Sequence, residues 1–236
     1  MSRSKIYLFG DSITEKSFAV GGWGASLANH FCRTADVVVR GYTGYNTRWA
    51  LKVLERVFPP SQETAPVALT VLFGANDSCL PYRCSAFHHV PLLEYKGNLR
   101  SIISFFKKRW PKTHVLLITP PPIDEDARLR HPYVENPEGL PERTNEAAGK
   151  YARACIAVAN ECRVPVIDLW TKIQQFPNWR KDYLSDGLHL TEAGSQIVFD
   201  EVIRKLRDEG LTPDTMPVDL PFLSDMDTND PMKSFE

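Results

Sequence analysis

The sequence has no long apolar run, almost no net charge and no common phosphate-binding motif. No stretch approaches the roughly 18 consecutive apolar residues of a membrane-spanning helix. Lys and Arg number 28 against 29 for Asp and Glu, so a net charge of -1 offers no broad basic surface to nucleic acid. Neither G-x-G-x-x-G nor G-x-x-x-x-G-K-[ST] follows the first apolar run. We therefore expect no transmembrane segment and no nucleic-acid partner.

Signals for export are also missing. The first five residues lead directly into a strand-like run, which leaves no room for an apolar signal region with a cleavage site. The five cysteines are an odd number and are scattered at positions 32, 79, 84, 155 and 162. A chain of this size does not need disulfides to stabilise its core. These features predict reduced thiols and a cytoplasmic location.

Short β-branched runs alternate with segments of helical periodicity along most of the 236 residues. The runs are continuously apolar, which is typical of strands covered on both faces. Apolar helical faces extend from Leu92 to Trp110 and from Ala148 to Ala159, and Thr191 is a candidate N-cap for the last helix. This order predicts the α/β class, with a five-stranded parallel sheet in a three-layer α/β/α sandwich. The predicted strands are Ile6–Phe9, Val37–Val39, Val67–Phe73, His114–Ile118 and Val164–Asp168.

Two segments differ in composition from the rest. Residues 120–145 contain six prolines among many charges, and they form a connection too long to be a simple linker in a compact domain. Residues 211–236 carry a net charge of -5 and four prolines, whereas residues 1–210 carry +4. Proline prevents a long helix in this tail, so it is either extended over the domain or disordered. We predict one main domain over residues 1–210 and a separate acidic tail over residues 211–236.

Unusual polar clusters follow the first three predicted strands, and a fourth precedes the last helix. In an open parallel sheet, ligands bind at the carboxyl ends of the strands, so these clusters are expected at one edge. The clusters are Gly10-Asp11-Ser12-Ile13-Thr14, Arg40-Gly41-Tyr42-Thr43-Gly44-Tyr45-Asn46, Gly74-Ala75-Asn76-Asp77 and Ser185-Asp186-Gly187-Leu188-His189.

Together these clusters contain the groups that acyl transfer requires. A serine hydroxyl needs a base to remove its proton, and a neutral imidazole held by a carboxylate suits that task near neutral pH. Ser12 is the candidate nucleophile, His189 the base and Asp186 the residue that orients it. A developing oxyanion needs preorganised N–H donors. The Asn76 side chain and the backbone amides of Ser12 and Gly44 are candidates for this oxyanion hole.

Each of these residues also has a structural alternative. Ser12 is a plausible helix N-cap, and Asn76-Asp77 and Asp186-Gly187 are common turn pairs, with His189 as an interior histidine. The presence of all four clusters at one sheet edge favours the catalytic interpretation. Asp11 is expected to accept hydrogen bonds from amides of its own loop.

The four clusters, in this order, resemble the GDSL or SGNH hydrolase superfamily. Gly10-Asp11-Ser12 matches its first block, Gly44 its second, and Gly74-Ala75-Asn76-Asp77 its third. Asp186 with His189 matches the last block, so the resemblance covers residues 10–189. It implies a flavodoxin-like fold, a catalytic domain over residues 1–210 and no cofactor.

Closer similarity is to the subgroup of isoamyl acetate-hydrolysing esterases. It includes residues 40–51, Phe73-Gly74-Ala75-Asn76-Asp77 and Arg143-Thr144-Asn145. Thr43 departs from the many members that have serine before the second-block glycine. The resemblance implies a serine esterase that acts on small-molecule acyl esters of the acetate type. It leaves the oligomeric state open.

The same clusters are compatible with other functions. A thioesterase or an acyltransferase would use the same groups with a different leaving group or acceptor. A non-catalytic, flavodoxin-like ligand-binding module is an alternative of a different class. The α/β-hydrolase fold has the same Ser, Asp, His order, but it requires a G-x-S-x-G elbow that does not occur in the sequence.

Cys79, Cys84, His88 and His89 are four potential zinc ligands within eleven residues. No second ligand pair follows at the spacing of a zinc finger, so a loop with incidental thiols is favoured and no metal is expected. Arg48 has two interpretations, either an ion pair with Asp11 or Asp77 beneath the site or a surface position.

Two further basic features have simpler explanations. His131 in the proline-rich segment is expected to be solvated, with a place along the substrate cleft as the alternative. Lys107, Lys108 and Arg109 are expected to complement the dipole at the end of their helix.

Overall fold

Strands and helices alternate along the chain in the computed structural model, which describes residues 3–59 and 64–235. The strands are β1 (Ser4–Gly10), β2 (Ala35–Gly41), β3 (Ala68–Leu72), β4 (His114–Ile118) and β5 (Val166–Ile167). The helices are α1 (Ser12–Glu15), α2 (Trp23–His30), α3 (Thr47–Val57), α4 (Leu92–Arg109), α5 (Glu125–Arg130), α6 (Asn145–Cys162), α7 (Leu169–Gln174), α8 (Trp179–Asp182) and α9 (Glu192–Asp208).

The sheet is parallel, with the strand order β2-β1-β3-β4-β5. This is the flavodoxin-like order, in which the chain changes direction across the sheet between β1 and β3. Gly10 pairs with Gly41 on one side and with Leu72 on the other, so three strands end level with each other. The predicted α/β fold is confirmed, and the crevice at the change of direction lies beside Ser12.

Alternate residues of each central strand contribute to two apolar cores, one on each face of the sheet. Ile6 and Leu8 face the core formed with α2, α7 and α9, whereas Tyr7 and Phe9 face the core formed with α3, α4 and α6. Because both faces are covered, the central strands carry apolar residues on both sides over most of their length, as the sequence predicted. This is the three-layer sandwich.

Strand β5 is shorter than predicted. Pro165 has no backbone N–H, and Val164 instead donates its N–H to the Ala159 carbonyl at the end of α6. At the other end, Asp168 caps α7 by accepting a hydrogen bond from the Thr171 N–H at 3.1 Å. Only Val166 and Ile167 pair with β4, which agrees with a position at the sheet edge.

Other local predictions are confirmed at the helix ends. The Thr191 hydroxyl accepts a hydrogen bond from the Gly194 N–H at the start of α9. Near the end of α4, Arg109 donates to the Phe58 carbonyl, and Lys107 donates to the Cys162 carbonyl at the end of α6. These last two side chains therefore join neighbouring segments as well as complementing the helix dipole.

Part of the acidic tail lies against the edge of the sheet at which the strands begin. Asp219 forms ion pairs with Arg3, just before β1, and with Arg33, just before β2. Arg33 also donates to the Leu220 carbonyl at 2.7 Å and lies over the ring of Phe222. We refer to Arg3, Arg33 and Asp219 as the tail clamp.

In the parts of the chain that the structure describes, no helix combines the length and the apolar character needed to cross a bilayer.

Candidate active site

Ser12 is held at the point where β1 turns into α1. Asp11 caps this short helix, because its side chain accepts a hydrogen bond from the Ile13 N–H at 3.0 Å. The predicted structural role of Asp11 is thereby confirmed. Ser12 is the first residue of α1 and is 7% exposed, so its hydroxyl is reached only from the cleft above the sheet.

His189 bridges Ser12 and Asp186. Its Nε2 lies 2.9 Å from the Ser12 Oγ, and its Nδ1 lies 2.8 Å from Asp186 Oδ2. An ionised carboxylate can only accept hydrogen bonds, so Nδ1 carries the proton of the neutral ring and Nε2 accepts from the serine hydroxyl. The three residues come together from positions 12, 186 and 189, in the arrangement that a serine nucleophile requires.

The turn that begins at Asp186 explains why its carboxylate lies next to the imidazole of His189. Asp186 Oδ1 accepts hydrogen bonds from the backbone N–H of Leu188 at 3.1 Å and of His189 at 2.8 Å, which folds the turn back on itself. Gly187 has φ +84°, a left-handed conformation that other residues rarely adopt. A Cβ there would also lie 2.4 Å from the Asp124 carbonyl oxygen, so the turn requires glycine for space as well.

The pKa of Asp186 lies well below its usual range. Burial alone would raise this pKa, but the hydrogen bonds from His189 and the charges of His189 and Arg128 outweigh that effect. A depressed pKa means that the carboxylate contributes stability above its unfolded value near 3.9, and that this stability is lost as the pH falls through the folded value. Asp186 therefore stays ionised throughout the range in which imidazoles titrate.

Gly44 and Asn76 line the same cleft as Ser12. Gly44 has φ +78°, which a side chain would strain, and an added Cβ would lie 3.3 Å from His88 Nε2. The Asn76 amide donates one hydrogen to the Tyr45 carbonyl at 2.9 Å, and its oxygen accepts from Arg143 at 3.0 Å. This leaves a second amide hydrogen on Asn76.

Two fully buried carboxyls lie beneath these residues. Burial raises the pKa of Asp11 to about 7, and the charge of Asp77 acts in the same direction. Burial also raises the pKa of Asp77 to about 7, against the opposing effect of hydrogen bonds from Thr47. Because folding raises these two pKa values, the folded state retains protons that the unfolded chain has lost above about pH 4. Their contribution to stability is therefore greatest in acid and falls as the pH rises towards 7.

The cleft above Ser12 has a volume of about 250 Å³. Its walls come from the strand-end clusters and from α5 with the loop that follows. His131 lines it while remaining exposed, so both interpretations of this residue are correct. The lining residues are Ser12, Lys16, Thr43, Gly44, Asn76, Arg128, His131, Pro132, Tyr133, Arg143, Asp186, Leu188 and His189.

Three buried charges in the proline-rich segment were not predicted from the sequence. Arg128 donates to Asp186, Arg143 donates to Asn76, and Glu142 forms ion pairs with both arginines. The segment therefore supplies interior side chains to the site as well as its rim. The one available signal was Arg143-Thr144-Asn145, which matched the esterase subgroup without indicating what Arg143 contacts.

Of the two interpretations of Arg48, the surface position is correct, and the ion pair with Asp11 or Asp77 does not form. Arg48 forms a bidentate pair with Glu94, at 2.6 and 2.7 Å, and about half of its side chain is exposed. Asp77 instead accepts hydrogen bonds from the backbone N–H and hydroxyl of Thr47, one residue earlier. The helix begins so that Thr47 points inwards and Arg48 outwards.

The four candidate zinc ligands do not converge on one point. The His89 Nδ1 lies 2.6 Å from the Cys79 carbonyl oxygen, and the Cys84 thiol lies 3.9 Å from Glu142 Oε2. Burial raises the pKa of the Cys79 thiol to about 12, which disfavours the thiolate that binds metal. Within residues 3–59 and 64–235, no group of three or more His, Cys, Asp or Glu side chains is placed to hold a metal ion.

Comparison with known sequences supports one family. The sequence model of the GDSL-like Lipase/Acylhydrolase family matches residues 8–197. A GDSL esterase/lipase of Arabidopsis thaliana is 64% identical over 239 residues, covering 100% of this chain and 99% of the relative. The human isoamyl acetate-hydrolyzing esterase 1 homolog is 44% identical over 197 residues, covering 83% of this chain and 78% of the relative.

Solved structures show the same fold at lower identity. A lipase/acylhydrolase from Enterococcus faecalis superposes with a TM-score of 0.68 at 24% identity, covering 87% of this chain and 96% of the other. An acetyl-xylooligosaccharide esterase from Geobacillus superposes with a TM-score of 0.64 at 21% identity, covering 87% and 94%. At such identities the likeness extends to the fold alone.

Proposed function

Because the chain belongs to the GDSL-like lipase/acylhydrolase family, whose activity is ester hydrolysis, we propose that it hydrolyses small acyl esters through an acyl-enzyme on Ser12. The observation that carries the proposal is the continuous series of hydrogen bonds from Ser12 through His189 to Asp186. A binding module has no need of a hydroxyl, an imidazole and a carboxylate in that order.

In the first half of the reaction, the Ser12 oxygen attacks the ester carbonyl while His189 Nε2 takes the hydroxyl proton. Asp186 stabilises the imidazolium that forms, since it already accepts from Nδ1. The carbonyl oxygen becomes an oxyanion and accepts hydrogen bonds from the second Asn76 amide hydrogen and from the backbone N–H of Gly44 and Ser12. The intermediate collapses when His189 returns the proton to the departing alcohol.

In the second half, water replaces the alcohol. His189 removes a proton from the water as it attacks the acyl carbon bound to Ser12, and the same donors stabilise the second oxyanion. When the bond to Ser12 breaks, the serine recovers its proton from His189 and the carboxylic acid is released. The proton transfers in both halves are supported by the short distances from Ser12 to His189 and from His189 to Asp186.

The size of the cleft favours a small substrate, and the relatives suggest an acetate-type ester. A volume of about 250 Å³ is at the small end for ligand pockets. The human relative is named for isoamyl acetate hydrolysis, and we propose the same substrate class here. The cytoplasmic location stays a prediction from the sequence.

Labelling with a fluorophosphonate tests the proposed nucleophile directly. The reagent should bond to the Ser12 oxygen, because only a hydroxyl activated by a base reacts with it at an appreciable rate. Peptide mass spectrometry should place the adduct on Ser12, and prior incubation with an acetate ester should slow the labelling. Failure to label the folded protein would support the binding-module alternative.

The pH dependence of kcat/KM should follow the protonation of His189. Protonated imidazole cannot accept the Ser12 proton, so activity should rise as the pH is raised from acid. The ionisation of Asp186 does not contribute to this rise in activity, because the pKa of Asp186 lies well below its usual range. We expect an ascending limb in initial rates measured at constant ionic strength. Burial raises the pKa values of Asp11 and Asp77, which are the neighbours of Ser12 and Asn76 in the sequence, to about 7, so their ionisation near neutral pH makes the limb depart from that of a single group.

A chelator provides the control for that profile. The limb should be unchanged after incubation with a metal chelator, because the proposed steps use protein groups alone. An ascending limb that disappears on chelation and returns with added zinc would contradict the mechanism.

Tyr133 should limit the length of the acyl chain. It lines the cleft, and its ring packs at 5.2 Å from that of His88. Tyr133→Ala enlarges the pocket, so the ratio of kcat/KM for hexanoyl over acetyl esters should rise by roughly tenfold, about the effect of one extra methylene in an apolar pocket. The matched control is Tyr82→Ala, since this exposed tyrosine does not line the cleft. An equal change in both variants would contradict a role in chain-length selection.

A further inference from the structure

A buried chain of hydrogen bonds joins the two ends of the catalytic apparatus. On the side of the base, Arg128 Nη1 donates to Asp186 Oδ2 at 3.2 Å, the oxygen that also accepts from His189. The same guanidinium donates to Glu142 Oε1 from Nη2 at 2.6 Å and from Nε at 3.2 Å. Arg128 thus links the carboxylate behind the base to a second, deeper carboxylate.

Arg143 continues the chain to the other side of the site. Its Nη1 donates to the same oxygen of Glu142. Its Nη2 donates to Asn76 Oδ1 at 3.0 Å, and its Nε donates to the Ala75 carbonyl at 3.1 Å. Arg143 therefore contacts the side chain of the proposed oxyanion donor and the backbone just before it. We call Arg128, Glu142 and Arg143 the buried bridge.

The environment of the buried bridge is well suited to fixing geometry. The three side chains are 4%, 1% and 2% exposed, so water does little to weaken their interactions. Glu142 and Asp186 balance the charges of the two arginines. Ser85 also donates to Glu142, which satisfies its second oxygen. Planar guanidinium groups donate in fixed directions, unlike the flexible ammonium of lysine.

The donor-only character of arginine selects one orientation of the Asn76 amide. Arg143 has no acceptor, so the atom of Asn76 that faces it must be the oxygen. The amide nitrogen then faces the Tyr45 carbonyl and the cleft. Rotating this amide by 180° would bring two donors together at Arg143 and present an oxygen to the oxyanion. The arginine therefore opposes the one rotation that would remove the donor.

We propose that Arg128, Glu142 and Arg143 are positioning residues. They hold the Asp186–His189 base and the Asn76 donor at fixed positions relative to each other and to Ser12. They act through Asp186 and Asn76, and the bridge fixes both relative to one shared carboxylate, Glu142. This proposal rests on the proposed function, because the roles of Asp186 and Asn76 are taken from it.

Arg143→Lys is the first test. Lysine keeps the charge, but it cannot donate at once to Glu142, Asn76 and the Ala75 carbonyl. We expect kcat to fall roughly 10- to 100-fold, the usual effect of losing a partner that orients a functional group, with KM changed by less than about twofold. The matched control is Arg100→Lys, which removes an exposed arginine fork from Glu161 and should leave kcat unchanged.

Coupling to Asn76 distinguishes positioning from general stability. If Arg143 acts through Asn76, the fall in kcat caused by Arg143→Lys should shrink to less than about twofold in an Asn76→Ala background. A merely structural role predicts the same fold-change in both backgrounds. Each kcat is expressed per active site titrated with phosphonate, so that unfolded protein does not contribute. Equal losses in the two backgrounds would overturn the proposal.

Glu142→Gln is a second variant of nearly identical shape, in case the lysine variant does not fold. It removes the charge shared by the two arginines and should lower kcat by a similar factor with little change in KM. Ser12→Ala separates a failure of the proposed function from a failure of the positioning role. If Ser12→Ala remains active, the proposed function fails. If Ser12→Ala is inactive while Arg143→Lys and Glu142→Gln keep wild-type kcat, only the positioning role is wrong.

Discussion

Replacing Ser12 by alanine should abolish ester hydrolysis while leaving the fold intact. The hydroxyl is the proposed nucleophile, and the Ser12 side chain's hydrogen bond is to His189, so its loss removes the reaction without disturbing the core. We expect kcat to fall by a factor on the order of 10⁴ or more, as when other members of such a triad are removed. The melting temperature should be nearly unchanged. Ser195→Ala is a matched control, because Ser195 is equally buried but lies on α9.

His189→Ala should be similarly severe, and the double variant tests whether the two residues act as a unit. Groups that transfer one proton between them show non-additive effects, so the double variant should be hardly worse than either single one. Rates are measured with an activated acetate ester and compared with the uncatalysed reaction. If Ser12→Ala keeps more than about one per cent of wild-type kcat, another nucleophile must be at work.

Replacing Asn76 by alanine should lower kcat by roughly 10²–10³ while leaving KM almost unchanged. Its second amide hydrogen is proposed to bond to the oxyanion, and that bond strengthens as charge develops on the carbonyl oxygen. The effect therefore appears in the transition state rather than in ground-state binding. The variant should still react with a phosphonate, because Ser12 and His189 remain in place.

Stability must be measured alongside kcat in this variant. Alanine leaves the Tyr45 carbonyl and one Arg143 N–H without their partner, so the melting temperature should fall as well. Asn76→Asp should be at least as damaging to kcat, because an ionised carboxylate repels the oxyanion. A purely structural asparagine would give a lower melting temperature with nearly unchanged kcat per titrated site.

The fold was accessible from the sequence because a parallel sheet leaves a strong local signal. Strands covered on both faces are apolar throughout, and β1, β3 and β4 lie where such runs occur. The length of strand β5 was overestimated. The apolar residues around Pro165 give the same sequence pattern whether they pair with β4 or only lie near it. The cap formed by Asp168 depends on where α7 begins, which composition does not determine.

The candidate site was only partly accessible. Ser12, Gly44, Asn76, Asp186 and His189 follow strands or precede a helix, so topology alone places them at one edge. The buried bridge lies in a segment rich in prolines and charges, which is typical of an exposed loop. Arg143 contacts Asn76 and Ala75, which precede it by 67 and 68 positions. Contacts over such distances leave no periodic pattern in the sequence.

From the sequence alone, Arg48 was compatible with a buried partner and with a surface position. The start of α3 turns it towards Glu94 on α4. The side on which a helical side chain lies changes with a shift of one residue in the start of the helix. Sequence spacing does not fix helix starts to that precision.

The tail clamp also has a consequence for the order in which the protein acquires its structure during synthesis. Arg3 and Asp219 are separated by 216 positions, so their ion pair forms only after residue 219 has left the ribosome. All the groups at the catalytic edge, from Ser12 to His189, have been synthesised by then. We therefore expect a chain truncated near residue 210, once released from the ribosome, to contain a formed candidate site while the opposite edge, at the starts of β1 and β2, is still open.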